Sequence, residues 1–225
     1  MNQAINPNDF IITRKRKLYK FAVFQTLSNC YDTATWQSQR ATLLQNTTSL
    51  TVEVGAGSGL FLTELARRHP ERTFVAVDRK SDRLYLGAKA ALADNLTNIF
   101  YLWTEAKQLT DLFDLHSVDN LWITFPDPWP QESNIKHRLT NAARLKDYQA
   151  LLKPTGQLEF KTDNAPLFSW SVPQFTAPWQ VDYTTDDLHD APEVSEAADA
   201  RVMTSYEARY RAEGKPIHYL RAHLI

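Results

Sequence analysis

Between residues 50 and 224, short apolar runs alternate with segments whose apolar positions recur every three to four residues. Thr51-Val-Glu-Val54 and Arg72-Thr-Phe-Val-Ala-Val-Asp78 are apolar, β-branched runs, and each predicts a buried strand. Between them, Leu60 to His69 carries apolar residues at 61, 62, 65 and 66, the spacing of one helix face. Ser81 to Ala93 predicts a second helix, with Ser81 as its N-cap. Third, fourth and fifth strands are expected at Asn98–Trp103, Val118–Phe125 and Gly156–Thr162, with a helix from Leu145 to Leu152 halted at Lys153-Pro154. Trp179–Tyr183 and Ile217–Leu224 read as the last two strands, flanking a short helix from about 204 to 213. Seven strands with intervening helices imply an α/β fold: an open, mostly parallel sheet with helices on both faces. Residues 31–49 are polar and read as a lead-in helix or loop.

The first strand breaks into Gly55-Ala-Gly57-Ser-Gly59 and then a helix. Strand, glycine turn and helix place a ligand at the C-terminal end of the strand. Glycines suit that turn because it requires φ > 0 and close approach of backbone to ligand. Asp78 follows Gly59 by 19 residues, near the roughly 20 expected for a carboxylate that accepts from ribose hydroxyls. Two details separate this turn from a dinucleotide fingerprint: its spacing is G-x-G-x-G, and Glu53 stands just before it. A pyrophosphate has no use for a carboxylate there, whereas a cationic amino-acid tail does. The arrangement points to S-adenosylmethionine, which carries an ammonium, a sulfonium and a ribose. Glu105, ending the third strand, is placed to accept from an adenine amino group, or equally to open the next helix.

Composition narrows the setting. A chain of 225 residues is one domain by size. Its organisation reads as a basic arm and lead-in segment over 1–49 and a catalytic unit over 50–225. The lone Cys30 excludes an internal disulfide and fits a reducing compartment. No apolar run approaches the roughly 18 residues of a membrane span, and Met1 to Phe10 lacks a signal peptide's apolar core. A cytoplasmic protein is expected, with no metal site. The net charge of −1 provides no global field for nucleic acid, but the distribution is uneven. Residues 1–40 hold six lysines and arginines against two acids, and 176–200 hold seven acids and no lysine or arginine. Arg14-Lys-Arg-Lys17 reads either as a solvated run or as a basic arm touching phosphate, with Arg14, Lys15 and Arg16 as candidate contacts.

The fourth strand leaves through Phe125-Pro-Asp127-Pro-Trp129-Pro130 at the same crevice. Two prolines hold the acid rigidly, and Trp129 offers a ring on which a base can stack. Together with Val52 to Gly59, Phe160-Lys-Thr-Asp-Asn164 and Thr204-Ser-Tyr-Glu207 followed by Gly214, in that order, this chain resembles the bacterial tRNA (guanine-N7-)-methyltransferase family from about residue 50 to the C-terminus.

The resemblance implies a Rossmann-like class I methyltransferase fold and transfer of a methyl group from S-adenosylmethionine to N7 of a variable-loop guanine in tRNA, by a monomer or homodimer. It implies catalysis by Asp127 and cofactor contacts at Glu53, Gly55, Gly57, Gly59, Asp78, Glu105 and Asp127. Substrate contacts fall to Gln131, Asp163, Thr204, Tyr206 and Glu207. Each has a plainer reading beside it: Asp163 can cap a helix, and Thr204-x-x-Glu207 is a capping box. The family's basic run after Pro-Trp-Pro is altered to Gln131-Glu-Ser-Asn-Ile-Lys136-His137-Arg138, leaving Lys136, His137 and Arg138 as candidate RNA contacts. The rival readings are a methyltransferase acting on another base or nitrogen, and a paralogue that binds cofactor or RNA without catalysis.

Overall fold

The computed structural model describes residues 15–191 and 198–225. Its strands are β1 (Cys30–Asp32), β2 (Leu50–Val54), β3 (Thr73–Asp78), β4 (Ile99–Trp103), β5 (Val118–Thr124), β6 (Leu152–Thr162), β7 (Trp179–Thr185) and β8 (His218–Leu224). They form one sheet in the order β1-β4-β3-β2-β5-β6-β8-β7. All pair in parallel except β8, which runs antiparallel to both β6 and β7. The helices are α1 (Lys15–Phe24), α2 (Thr33–Leu43), α3 (Leu60–Arg68), α4 (Ser81–Ala93), α5 (Leu109–Leu112), α6 (Ala142–Leu151), α7 (Ala165–Ser171) and α8 (Ser205–Ala212).

The sheet therefore has eight strands among the described residues where seven were expected. The extra one, β1, is three residues long and exists through its pairing with β4, Cys30 opposite Tyr101. A run that short carries no periodicity to read. The basic run likewise proves to be the start of a helix, α1, packed along α4. Its Phe21 meets Trp103 edge to face at 5.2 Å. β6 begins at Leu152, directly after α6 and ahead of Gly156, and accommodates Pro154 by an irregularity opposite Val118 to Asn120.

Strand alternation divides the core in two. Val52, Val54, Val75 and Val77 pack with Trp36, Leu121 and Phe160 on one face. Trp122, Tyr101 and Tyr219 pack with Phe61, Leu65 and Phe24 on the other. The second face also carries two buried carboxyls, Glu53 and Glu159, in a row with Trp122 between them and the half-buried Arg221 beyond, on β2, β5, β6 and β8. There the Tyr219 hydroxyl donates to Glu159 Oε2 at 2.6 Å, and burial pushes the Glu159 carboxyl up to about 8.

Close packing also explains a glycine inside a helix. A Cβ on Gly87 would lie 2.5 Å from the Ser58 carbonyl oxygen, so α4 can rest against the glycine turn only without a side chain at that position.

Candidate active site

The order of the sheet reverses between β2 and β5, and in open α/β sheets ligands bind at such a switch point. A cleft of about 370 Å³ opens there. Gly55, Asp78 and Arg79 line one side, Thr104 to Lys107 one end, and Phe125, Asp127, Trp129 and His137 the other side.

Of the glycine turn, Gly55 lines the floor with Val54, while Gly57 and Gly59 lie behind it. Gly55, Gly57 and Gly59 all have φ between 56° and 76°, the left-handed region. The turn is tied to β3 by the N–H groups of Gly55 and Ala56, which both donate to the Val77 carbonyl at 2.9 Å. Gly57 N–H donates to Asp78 Oδ2 at 2.8 Å, and Lys80 N–H donates to Oδ1 at 2.8 Å. These two bonds fix the Asp78 carboxylate while leaving each oxygen a further lone pair. Burial raises the Asp78 pKa, and the two backbone donors act against that shift. Lys80, not Ser81, is the residue capping α4, and no side-chain cap bond is made; Ser81 is the buried first residue of the helix.

Glu53 is placed beneath the floor, fully buried, while Val54 and Gly55 form the surface above it. The Thr124 hydroxyl donates to its Oε1 at 2.5 Å, and its Oε2 has no partner. Burial pushes this carboxyl up to about 8, against the Thr124 bond and the Lys161 charge. Glu105 lies at the cleft's end, exposed, with Lys107 Nζ 2.8 Å away, and this contact lowers its pKa.

The loop after β5 is held against its own preferences. Phe125 and Trp129 have φ of 46° and 44°, and each precedes a proline, which disfavours helical backbone at the preceding residue. Such residues cost about 1–3 kcal/mol each and persist only where surroundings enforce them. Here Phe125 N–H donates to the Lys161 carbonyl at 2.8 Å. Arg138 donates to the Pro128 carbonyl from Nε at 3.0 Å and to the Trp129 carbonyl from Nη2 at 3.1 Å, while its guanidinium lies 4.4 Å from the Trp170 ring. Arg138, expected as an RNA contact, is thus turned inward and buried. Asp127 projects from this loop with its side chain 56% exposed, and Arg79 Nη2 is 4.0 Å from its Oδ2. The Arg79 guanidinium also lies 5.7 Å from the Trp129 ring, whose other neighbour is the His137 ring at 5.1 Å. Arg79 was missed in the sequence, although it directly follows Asp78.

The remaining candidates are divided. Lys136 and His137 line the cleft, and exposed Gln131 accepts from Asn134 Nδ2 at 3.1 Å. Asn164, not Asp163, caps α7, accepting from Leu167 N–H at 2.8 Å. Thr204 caps α8, its hydroxyl accepting from Glu207 N–H at 3.0 Å. Glu207 is wholly buried: Oε2 accepts from Lys161 Nζ at 2.8 Å and Oε1 lies 2.7 Å from His189 Nε2. Tyr206 stands exposed on α8. Lys15 is exposed on α1, whereas Arg14 and the side chain of Arg16 lie outside the described residues. So do Glu193 and Glu196 of the acidic segment.

Residues 47–220 match the profile of a family described as "putative methyltransferase". The tRNA (guanine-N(7)-)-methyltransferase of Lactobacillus acidophilus is 38% identical over 174 residues, 76% of this chain and 78% of that one. The chain belongs to the tRNA (guanine-N7-)-methyltransferase family. Another protein of that name, from Brevibacillus brevis, is 35% identical over 181 residues, covering 80% of this chain and 83% of its own. Among solved structures, the 16S rRNA methyltransferase KamB superposes with a TM-score of 0.63 at 21% identity over 83% of this chain and 93% of its own, a likeness of fold alone. The family assignment and the fold agree with a class I methyltransferase sheet extended by one edge strand.

Proposed function

We propose that this chain transfers a methyl group from S-adenosylmethionine to N7 of a guanine in tRNA. One observation carries the reading. A single cleft brings Gly55 and Asp78, on one side, to face Asp127 and Trp129 on the other. The cofactor's chemistry fits the donor set: carboxylates at positions 53, 78 and 105 surround or underlie the cleft, and Glu53 Oε2 is buried without a partner. S-adenosylmethionine supplies the electrophilic methyl group and a cationic tail. With the cofactor bound, Asp78 would accept from ribose hydroxyls on its free lone pairs, Glu105 would accept from the adenine amino group, and Glu53 would supply negative charge from under the floor.

Guanine N7 bears a lone pair and no proton, so no base is needed to expose the nucleophile. What the chain must provide is alignment, which by itself lowers barriers by several kcal/mol. Trp129, backed by the His137 ring, offers the entering base a surface to stack on, and Asp127 accepts from the guanine N–H edge. As the purine gains positive charge, the same carboxylate stabilises it. Bringing a tRNA base out of its stack costs a few kcal/mol, which stacking on Trp129 offsets in part.

The test is methylation of an unmodified tRNA transcript, with the product nucleoside identified by mass spectrometry and aniline cleavage. 7-Methylguanosine is expected; methylation of another atom, or none, overturns the reading.

Glu53 adds a pH signature. Its carboxyl is pushed up to about 8 by burial, so below that pH it is protonated in the free protein. The groups around it are Thr124 on β5, Lys161 on β6, Asp78 on β3 and Tyr101 on β4. A cationic ligand above the floor favours the ionised form and expels the proton. Cofactor affinity should therefore rise with pH up to about 8 and then level off. Calorimetry with S-adenosylhomocysteine at pH 7, in buffers of differing ionisation enthalpy, should show proton release that Glu53→Gln abolishes. Equal proton uptake and release in both proteins would refute it.

A further inference from the structure

The lip of the cleft that carries Gln131-Glu132-Ser133 is exposed and without a cation until Lys136. Phosphate must be met elsewhere. Many surface cations are already neutralised: Arg67 by Glu64 and Asp94, Arg72 by Asp199, Lys153 by Asp119. Among the described residues, the α1 and α4 cations differ. Lys15, Lys17 and Lys20 on α1, and Lys80 and Arg83 at the start of α4, carry no ion pair within 4 Å.

The fold sets Lys80 and Arg83 in the cleft and packs α1 along α4 beside them. Phe21 fastens α1 against Trp103, the last residue of β4 and so at the crevice end of the sheet. The Trp103 indole N–H donates to the Arg79 carbonyl at 3.1 Å, tying the same contact to the segment that carries Arg79 and Lys80. Lys17 precedes Phe21 by four residues, one helical turn, and so shares its side of α1 nearer the helix start. Arg79, Lys80 and Arg83 line the cleft itself. Tyr19, 63% exposed, sets an aromatic ring among the lysines of α1.

We infer that the face formed by α1 and the start of α4 receives the sugar–phosphate backbone of the RNA substrate, in place of the basic residues absent from 131–134. This rests on the tRNA reading above and adds to it the surface that receives the substrate. Backbone contacts of this kind are sequence-independent and release counterions, so they are read as a salt slope of about 0.7–0.9 per phosphate contact. The acids near this face are Asp82 on α4 and, in the cleft, Asp78, Asp127 and Glu105, the last held by Lys107; they are fewer than Lys15, Lys17, Lys20, Arg79, Lys80 and Arg83, so the local field is positive.

The experiment measures binding of an unmodified tRNA transcript to the full chain in the presence of S-adenosylhomocysteine across a potassium chloride series. The double variant Lys17→Glu/Lys20→Glu should bind at least about tenfold more weakly at low salt, with a slope flatter by about 1.5. Arg83→Glu, on the other helix, should flatten it by about one contact. Lys146→Glu, an exposed and unpaired lysine on α6, should change affinity less than twofold, and the double variant should keep its S-adenosylhomocysteine affinity. If the α1 and α4 variants behave like Lys146→Glu while the parent binds and methylates tRNA, this surface is wrong and the function stands. If the parent neither binds nor methylates tRNA, both fall.

Discussion

Asp127→Asn should lower kcat for methyl transfer to tRNA by about 10²–10³-fold, the range seen when one preorganised group facing developing charge is removed. The carboxylate is mostly exposed, and its one ion pair, with Arg79, is long at 4.0 Å, so its loss leaves the fold undisturbed. Asn retains the shape and one acceptor but not the charge that steadies a cationic purine. Single-turnover assays report the chemical step, calorimetry with S-adenosylhomocysteine reports the cofactor, and thermal melting reports the fold. Only the first should move. A matching loss of cofactor affinity would mean that Asp127 serves the donor instead of the base.

Lys161→Met should destabilise the protein by about 3–5 kcal/mol, the cost of leaving one member of a buried ion pair alone. Lys161 is wholly buried on β6 and donates to the Ala200 and Val202 carbonyls at 3.0 Å as well as to Glu207 at 2.8 Å. Burial pulls the ammonium pKa down, and Glu207 opposes this. For Glu207, burial pushes upward but is outweighed by His189 and Lys161, so its pKa is lowered. A lowered carboxylate stabilises the fold above the ordinary carboxylate range and loses that contribution as pH falls through its folded value. The melting temperature of Lys161→Met should fall by about 10 °C in a chain of this size. Glu207 keeps His189 as a partner, so adding Glu207→Leu, which removes the carboxylate left short of one cation, should recover part of the loss. If the double variant is no better than the single, the two carbonyl bonds, and not the ion pair, hold the C-terminal segment to the sheet.

What could be read from the chain depended on how locally each feature is encoded. The glycine turn, Asp78 and the Thr204-x-x-Glu207 box each lie within a short window, and the structure forms the turn and the cap where they were expected. The edge strand at Cys30–Asp32 and the docking of α1 depend on partners about seventy residues away, and no window contains both halves. Arg138 looked like a surface cation because its neighbours in sequence are polar. Only the folded chain brings Trp170 beneath its guanidinium and two loop carbonyls within its reach. The left-handed backbone at Phe125 and Trp129 runs against the local preference of residues before proline, so sequence rules argue for something else at both positions.

Because those two aromatic residues sit in backbone they would leave if released, improving the protein's thermal endurance and preserving its turnover are opposed goals in this loop. Glycine in place of Phe125 would relax the chain and at the same time loosen the seat of the carboxylate two residues on. The guanidinium that gathers the Pro128 and Trp129 carbonyls latches the far end of the loop, as the Phe125 N–H bond to β6 does the near end, so slackening it would loosen the seat of Trp129 first.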